Sequence, residues 1–89
     1  MLSDLIQAGA FLVDVRTEEE FQDGHVEASV NIPLDQVAER IEEFEGKTAI
    51  IVFCRSGGRS GMAKAILAQA GITNVTNGGT WQDVKAHIN

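Results

Sequence analysis

Ala49-Ile50-Ile51-Val52-Phe53-Cys54-Arg55-Ser56-Gly57-Gly58-Arg59-Ser60 is the stretch on which the fold turns. Ala49 to Phe53 are apolar without alternation, the pattern of a strand covered on both faces of a parallel sheet. The residues after Cys54 are arginines, glycines and serines, so a polar loop follows the strand directly. Met62, Ala63, Ile66, Leu67 and Ala70 then recur at helical spacing, and Gly71 supplies a left-handed stop.

The same alternation continues outward. Leu2, Leu5 and Ile6 before Gly9 predict a short helix, and Phe11–Val13, ending at Asp14, a buried strand. Thr17 followed by Glu20 fits a capping box that opens a second short helix. Val30–Ile32 reads as a strand ended by Pro33. Leu34, Val37, Ala38, Ile41 and Phe44 share one helix face, and Gly46 ends it. Asn74–Thr76 predicts a short strand, Asn77-Gly78-Gly79 a turn, and Trp81, Val84 and Ile88 a last helix. This order predicts an α/β fold: a small open parallel sheet of four to five strands, flanked by helices on both faces.

With 89 residues, 44% of them hydrophobic, the chain fills one core and not two, so residues 1–89 are expected to form a single domain. The 22% of charged residues and single proline are not the composition of a disordered chain. The longest apolar run, Ala49–Cys54, is far short of a membrane span. No basic start precedes an apolar stretch; the expected location is cytoplasmic as the chain stands, and periplasmic if a leader has been removed. Cys54 is the only cysteine, which excludes an internal disulfide and a multi-cysteine zinc site. His25 and His87 are the only histidines, so no metal and no cofactor are expected.

Net charge is −6, unevenly spread: Asp83 is the only acid after Gly46, whereas Arg16 and Arg40 are the only bases before it. An acidic chain is a poor nucleic-acid binder. The basic second half instead suits a small anion. No nucleic acid or membrane partner is expected, and the chain is expected to be a monomer.

Cys54 stands where catalytic groups gather in open α/β sheets, at the carboxyl end of a strand. Gly57 and Gly58 let the backbone curl so that several N–H groups face one anion. Ser56 lies within that turn, Ser60 is placed to cap the helix that follows, and Arg55 and Arg59 bring full charges. Each term favours thiolate over thiol; such sites lower a cysteine pKa from about 8.5 to roughly 3.5–7.5. Nucleophile and anion cradle are thus one structure. The plainer reading, a small buried residue ending a core strand, fits Cys54 alone but not its loop.

The sequence resembles the single-domain rhodanese family nearly end to end. Asp14-Val15-Arg16 with Glu20-Phe21 matches the first signature, and Gly24-His25-Val26 through Asn31-Ile32-Pro33 the second. Cys54–Arg59 matches the catalytic loop, and Gly71 through Gly78-Gly79 and Trp81 the C-terminal signature. The resemblance implies a sulfurtransferase: Cys54 takes the outer sulfur of thiosulfate as a persulfide, and an external thiol or cyanide removes it. It also implies that the Arg55–Arg59 backbone stabilises the persulfide and that Arg55 and Arg59 hold the sulfonate. Glu27-Ala28-Ser29 departs from the family's Pro-Gly-Ala, so the turn there is expected to differ.

Two other classes compete. Cysteine-dependent phosphatases and arsenate reductases place the arginine six positions after the cysteine, whereas Arg59 is five after Cys54 and the sixth position is Ser60. A non-catalytic rhodanese-fold binding module commonly lacks the cysteine or the charged loop, and both are here. Of the remaining residues, Asp14 is expected to support the loop by hydrogen bonding and Arg16 to pair with an acid of Glu18–Glu20. The Glu18–Glu20 run is otherwise a solvated helix face, His25 a structural hydrogen-bonding residue and Trp81 a core anchor.

Overall fold

A computed structural model describes residues 2–88. Four parallel strands, β1 (Phe11–Asp14), β2 (Val30–Asn31), β3 (Ile50–Cys54) and β4 (Val75–Thr80), lie in the order β2-β1-β3-β4. β3 is buried at every residue and lies between β1 and β4, as its unbroken apolar run requires.

Alternation along the strands sorts the core onto two faces. Val13, Ile50, Val52 and Cys54 pack with Val37, Phe44, Ala63 and Leu67. These come from α3 (Leu34–Val37), the 3-10 helix Ala38–Phe44 and α4 (Gly58–Gln69). Leu12, Ile51 and Phe53 pack on the other face with Val84, Trp81, Leu5 and Ile6, from α5 (Trp81–Ala86) and α1 (Leu2–Gln7). Helices therefore cover both faces of a four-stranded sheet. α2 (Glu18–Asp23) opens with the expected capping box, each of Thr17 and Glu20 satisfying the other's backbone N–H.

Two expectations are corrected. The helix expected from Leu34 to Phe44 is four α-helical residues followed by a 3-10 segment, broken at Arg40 (φ −120°, ψ 31°). The spacing of three between Leu34 and Val37, and again between Ile41 and Phe44, suits three-residue turns as well as α-helical ones, and the break resets the phase. Asn77-Gly78-Gly79 is not a turn but lies within β4, where pairing passes from Val52–Asn77 to Phe53–Gly79 and leaves Gly78 as the extra residue of a bulge. A Cβ on Gly78 would stand 2.9 Å from both Ile51 and Val84, and Gly79 takes φ +82°. The loop at Glu27-Ala28-Ser29 gives Ala28 a φ of +72°, which only the glycines otherwise adopt among the described residues. Among the described residues no helix is long and apolar enough to cross a membrane.

Candidate active site

Cys54 ends the central strand with no exposed surface. Its Sγ accepts the Gly57 N–H at 3.0 Å and lies 3.4 Å from Ser60 Oγ. Burial alone would push the thiol pKa up. Hydrogen bonds from the Ser60 hydroxyl and from the backbone N–H groups of Ser60, Ser56 and Gly57 outweigh it, and the net shift is downward. These donors are what a merely packed cysteine lacks.

The two glycines have unequal tasks. Gly57 takes φ +95°, turning the chain so that its N–H faces the sulfur while the helix begins at Gly58. Gly58 is helical and a Cβ there meets nothing within 4 Å. Ser60 is not the cap expected: it lies inside the first turn of α4, fully buried, its Oγ bonded to the Gly57 carbonyl at 3.1 Å and to Asn77 Oδ1 at 2.7 Å. The left-handed Gly57 starts the helix three residues early and turns the hydroxyl inward. Arg55 and Ser56 form the exposed tip of the loop.

Arg59 is held from afar. Its Nη1 and Nη2 donate to Glu20 Oε1 and Oε2 at 2.7 and 3.0 Å, a two-pronged ion pair from α4 to α2. Glu20 is thereby removed from the solvated face expected for it. Its carboxyl is held down to about 2, first by Arg59 and then by the Thr17 N–H. Arg16 is correspondingly not paired with the Glu18–Glu20 run. It folds back on Asp14, with Nη2 2.7 Å from Oδ2, and both are buried. Arg16 also donates to the Gly24 carbonyl at 2.7 Å and lies over the Trp81 ring. Asp14 accepts Arg16's own N–H at 3.0 Å, which closes the turn after β1 and directs its carboxylate to Arg16 instead of to the loop. Asp14 reaches the loop only through its charge, which acts on Arg59. His25 is structural: Nδ1 lies 2.9 Å from the Phe21 carbonyl, and its ring stacks on Phe21.

Two features escape a reading of the sequence. Asn77 joins the site from the β4 bulge, and a cleft of about 430 Å³ opens beside Arg59, walled by Val15, Pro33, Leu34 and Ile66. A buried thiol lowered by loop donors thus lies at the carboxyl end of a central parallel strand, the place where open α/β sheets gather their ligands.

Comparisons with known proteins identify the class. The rhodanese-like domain family matches residues 1–85. The thiosulfate sulfurtransferase PspE of Escherichia coli (strain K12) is 40% identical over 81% of this chain and 71% of its own. Thiosulfate sulfurtransferase 16, chloroplastic, of Arabidopsis thaliana is 38% identical over 81% of this chain and 70% of its own. A solved structure described as a rhodanese with anions from E. coli superposes with a TM-score of 0.77 at 39% identity, covering 84% of this chain and 91% of that one. This chain belongs to the rhodanese-like domain family, and it is a sulfurtransferase of that family.

Proposed function

We propose that the enzyme moves sulfane sulfur from thiosulfate to an external thiol or cyanide through a persulfide on Cys54. The observation that carries the reading is the Gly57 N–H at 3.0 Å from Sγ, backed by Ser60 Oγ at 3.4 Å. Together they form a cradle for anionic sulfur. A thiosulfate donor is supported by the names of the two sulfurtransferase relatives and by the anions described with the E. coli rhodanese structure.

In the first step the Cys54 thiolate attacks the outer sulfur of thiosulfate. The new Sγ–S bond forms as the S–S bond of thiosulfate breaks, and its electron pair leaves with sulfite. In the second, a thiolate or cyanide attacks the outer sulfur of the persulfide; the Sγ–S bond breaks and its pair returns to Cys54 as thiolate. Atoms and electrons balance without a cofactor. With no second cysteine in the sequence, the persulfide has no internal thiol to react with, so the acceptor comes from outside.

Sγ lies covered, so the exposed tip at Arg55 and Ser56 is the part that gives way to a donor. Arg55 is exposed and takes the sulfonate first. Arg59, its charge already answered by Glu20, mainly ties the loop to α2. The main-chain amides of Ser56, Gly57 and Ser60, which already donate toward Sγ, receive the sulfur added in the first step. Steady-state rates with thiosulfate and cyanide test the route: parallel double-reciprocal lines are expected, and intersecting lines would overturn the two-step mechanism.

A further inference from the structure

Ser60 carries one hydroxyl hydrogen and faces three acceptors. Asn77 Oδ1 is nearest at 2.7 Å, the Gly57 carbonyl lies at 3.1 Å, and Cys54 Sγ at 3.4 Å. The orientation of the Asn77 amide is fixed by its other partners. Oδ1 also accepts the Gly79 N–H at 2.9 Å, and Nδ2 donates to the Gly57 carbonyl at 3.2 Å. An N–H can only donate and a carbonyl only accept, so the reversed amide would lose both bonds. Asn77 therefore holds a fixed acceptor against the Ser60 hydroxyl, and the hydroxyl is a rotor between that oxygen and the sulfur.

We infer that Asn77 is a positioning residue that holds the Ser60 hydrogen whenever Cys54 sulfur carries a covalent partner, and yields it when that sulfur becomes an anion. With Cys54 as a thiol, S–H donates to Ser60 Oγ and Ser60 O–H to Asn77. With Cys54 as a thiolate, the Ser60 hydrogen turns to Sγ, and Asn77 Oδ1 keeps the Gly79 N–H, so no buried polar atom is left unpaired in either state. The catalytic meaning rests on the persulfide reading. In the persulfide the inner sulfur is neutral and the hydrogen lies on Asn77; as the Sγ–S bond breaks and its pair collects on Sγ, the hydrogen swings to the leaving sulfur. Asn77 touches neither substrate nor sulfur, and acts through Ser60.

The thermodynamic consequence has an unusual sign. Removing the Asn77 acceptor takes the Ser60 hydroxyl's partner from the thiol state alone, while the Gly79 N–H loses its acceptor in both states, so the difference favours thiolate. Simple loosening of the loop would do the reverse, because it would withdraw the N–H donors. The charged groups around Cys54 are Arg55 at the loop tip, Arg59 on α4 with its partner Glu20 on α2, and the Asp14–Arg16 pair at the end of β1, and none of these is replaced in the variants below.

The experiment is an ultraviolet thiolate titration of the intact reduced protein, which reads Cys54 alone because the chain has one cysteine and no tyrosine. Asn77→Leu is expected to lower the midpoint by roughly half to one pH unit, the worth of one hydrogen bond. In the Ser60→Ala background the same substitution is expected to move it negligibly. A rise, no change, or an equal fall without the Ser60 hydroxyl overturns the inference. Should Asn77→Leu not fold, Asn77→Asp keeps the acceptors for Gly79 and Ser60. Its upward shift is expected to be larger with Ser60 present than with Ser60→Ala, and equal shifts would overturn the inference. The titration needs no sulfur donor, so failure of the persulfide mechanism and failure of the Asn77 assignment give different results.

Discussion

Arg59 and Glu20 are joined by two parallel N–H···O bonds of 2.7 and 3.0 Å, across 39 residues of sequence. The pair fastens the first turn of α4, next to the nucleophile, to the first turn of α2. Its acidic member titrates far below a free glutamate. The folded carboxyl lies at about 2 against 4.5 for the ordinary group, so the fold gains from ionised Glu20 above about 4.5 and loses that gain as pH falls toward 2. Glu20→Gln should therefore melt earlier than the parent near neutral pH, with the gap closing as pH falls through that window. Thermal melts across the range check this, and a gap independent of pH would contradict it.

Arg55 is exposed at the loop tip, whereas Arg59 is compensated. Arg55→Ala should raise KM for thiosulfate by about threefold to tenfold with little change in kcat, the scale of one exposed charge-assisted contact. Adding salt to the parent should reproduce part of the effect. Arg59→Ala should lower thermal stability as well as activity, because it releases the clasp to α2.

Ala28 holds a left-handed φ of +72°. A side chain in that region costs about 1–2 kcal/mol, partly offset by the larger unfolded-state entropy of glycine. Ala28→Gly is expected to stabilise by about 0.5–1 kcal/mol and to raise Tm by a few degrees, measured by calorimetry.

Gly78 has no room for a side chain, since its Cβ would meet Ile51 and Val84 at 2.9 Å. Gly78→Ala should cost about 1–3 kcal/mol through displacement of β4 or α5. Urea unfolding measures it, with a lowered midpoint and an unchanged slope.

The parts of the site that sequence reveals are those built from neighbours in the chain. Cys54 with Gly57 forms a local turn, and Thr17 with Glu20 a local cap, so both are visible as spacing. Arg59–Glu20 depends on α2 reaching the start of α4, and no pattern within either helix encodes that. Asn77 was hidden by its own neighbours: two glycines after it signal a turn, yet one is the extra residue of a bulge and strand pairing continues past it. The inward turn of Ser60 is hidden for the same kind of reason. A serine ahead of an apolar periodicity resembles a cap, but the left-handed Gly57 starts the helix earlier and buries the hydroxyl against sulfur. The parallel sheet with helices on both faces is legible because burial on two sides leaves an unbroken apolar run as its mark, whereas the order β2-β1-β3-β4 depends on pairing between segments far apart in the chain, which no local pattern encodes.

The proposed route turns on a sulfur atom held covalently on Cys54. Intact-protein mass spectrometry after incubation with thiosulfate tests it most directly. The expected result is a gain of one sulfur atom, removed by cyanide and absent from Cys54→Ser. A folded parent protein that gains no sulfur, or a gain that survives Cys54→Ser, would contradict the persulfide mechanism.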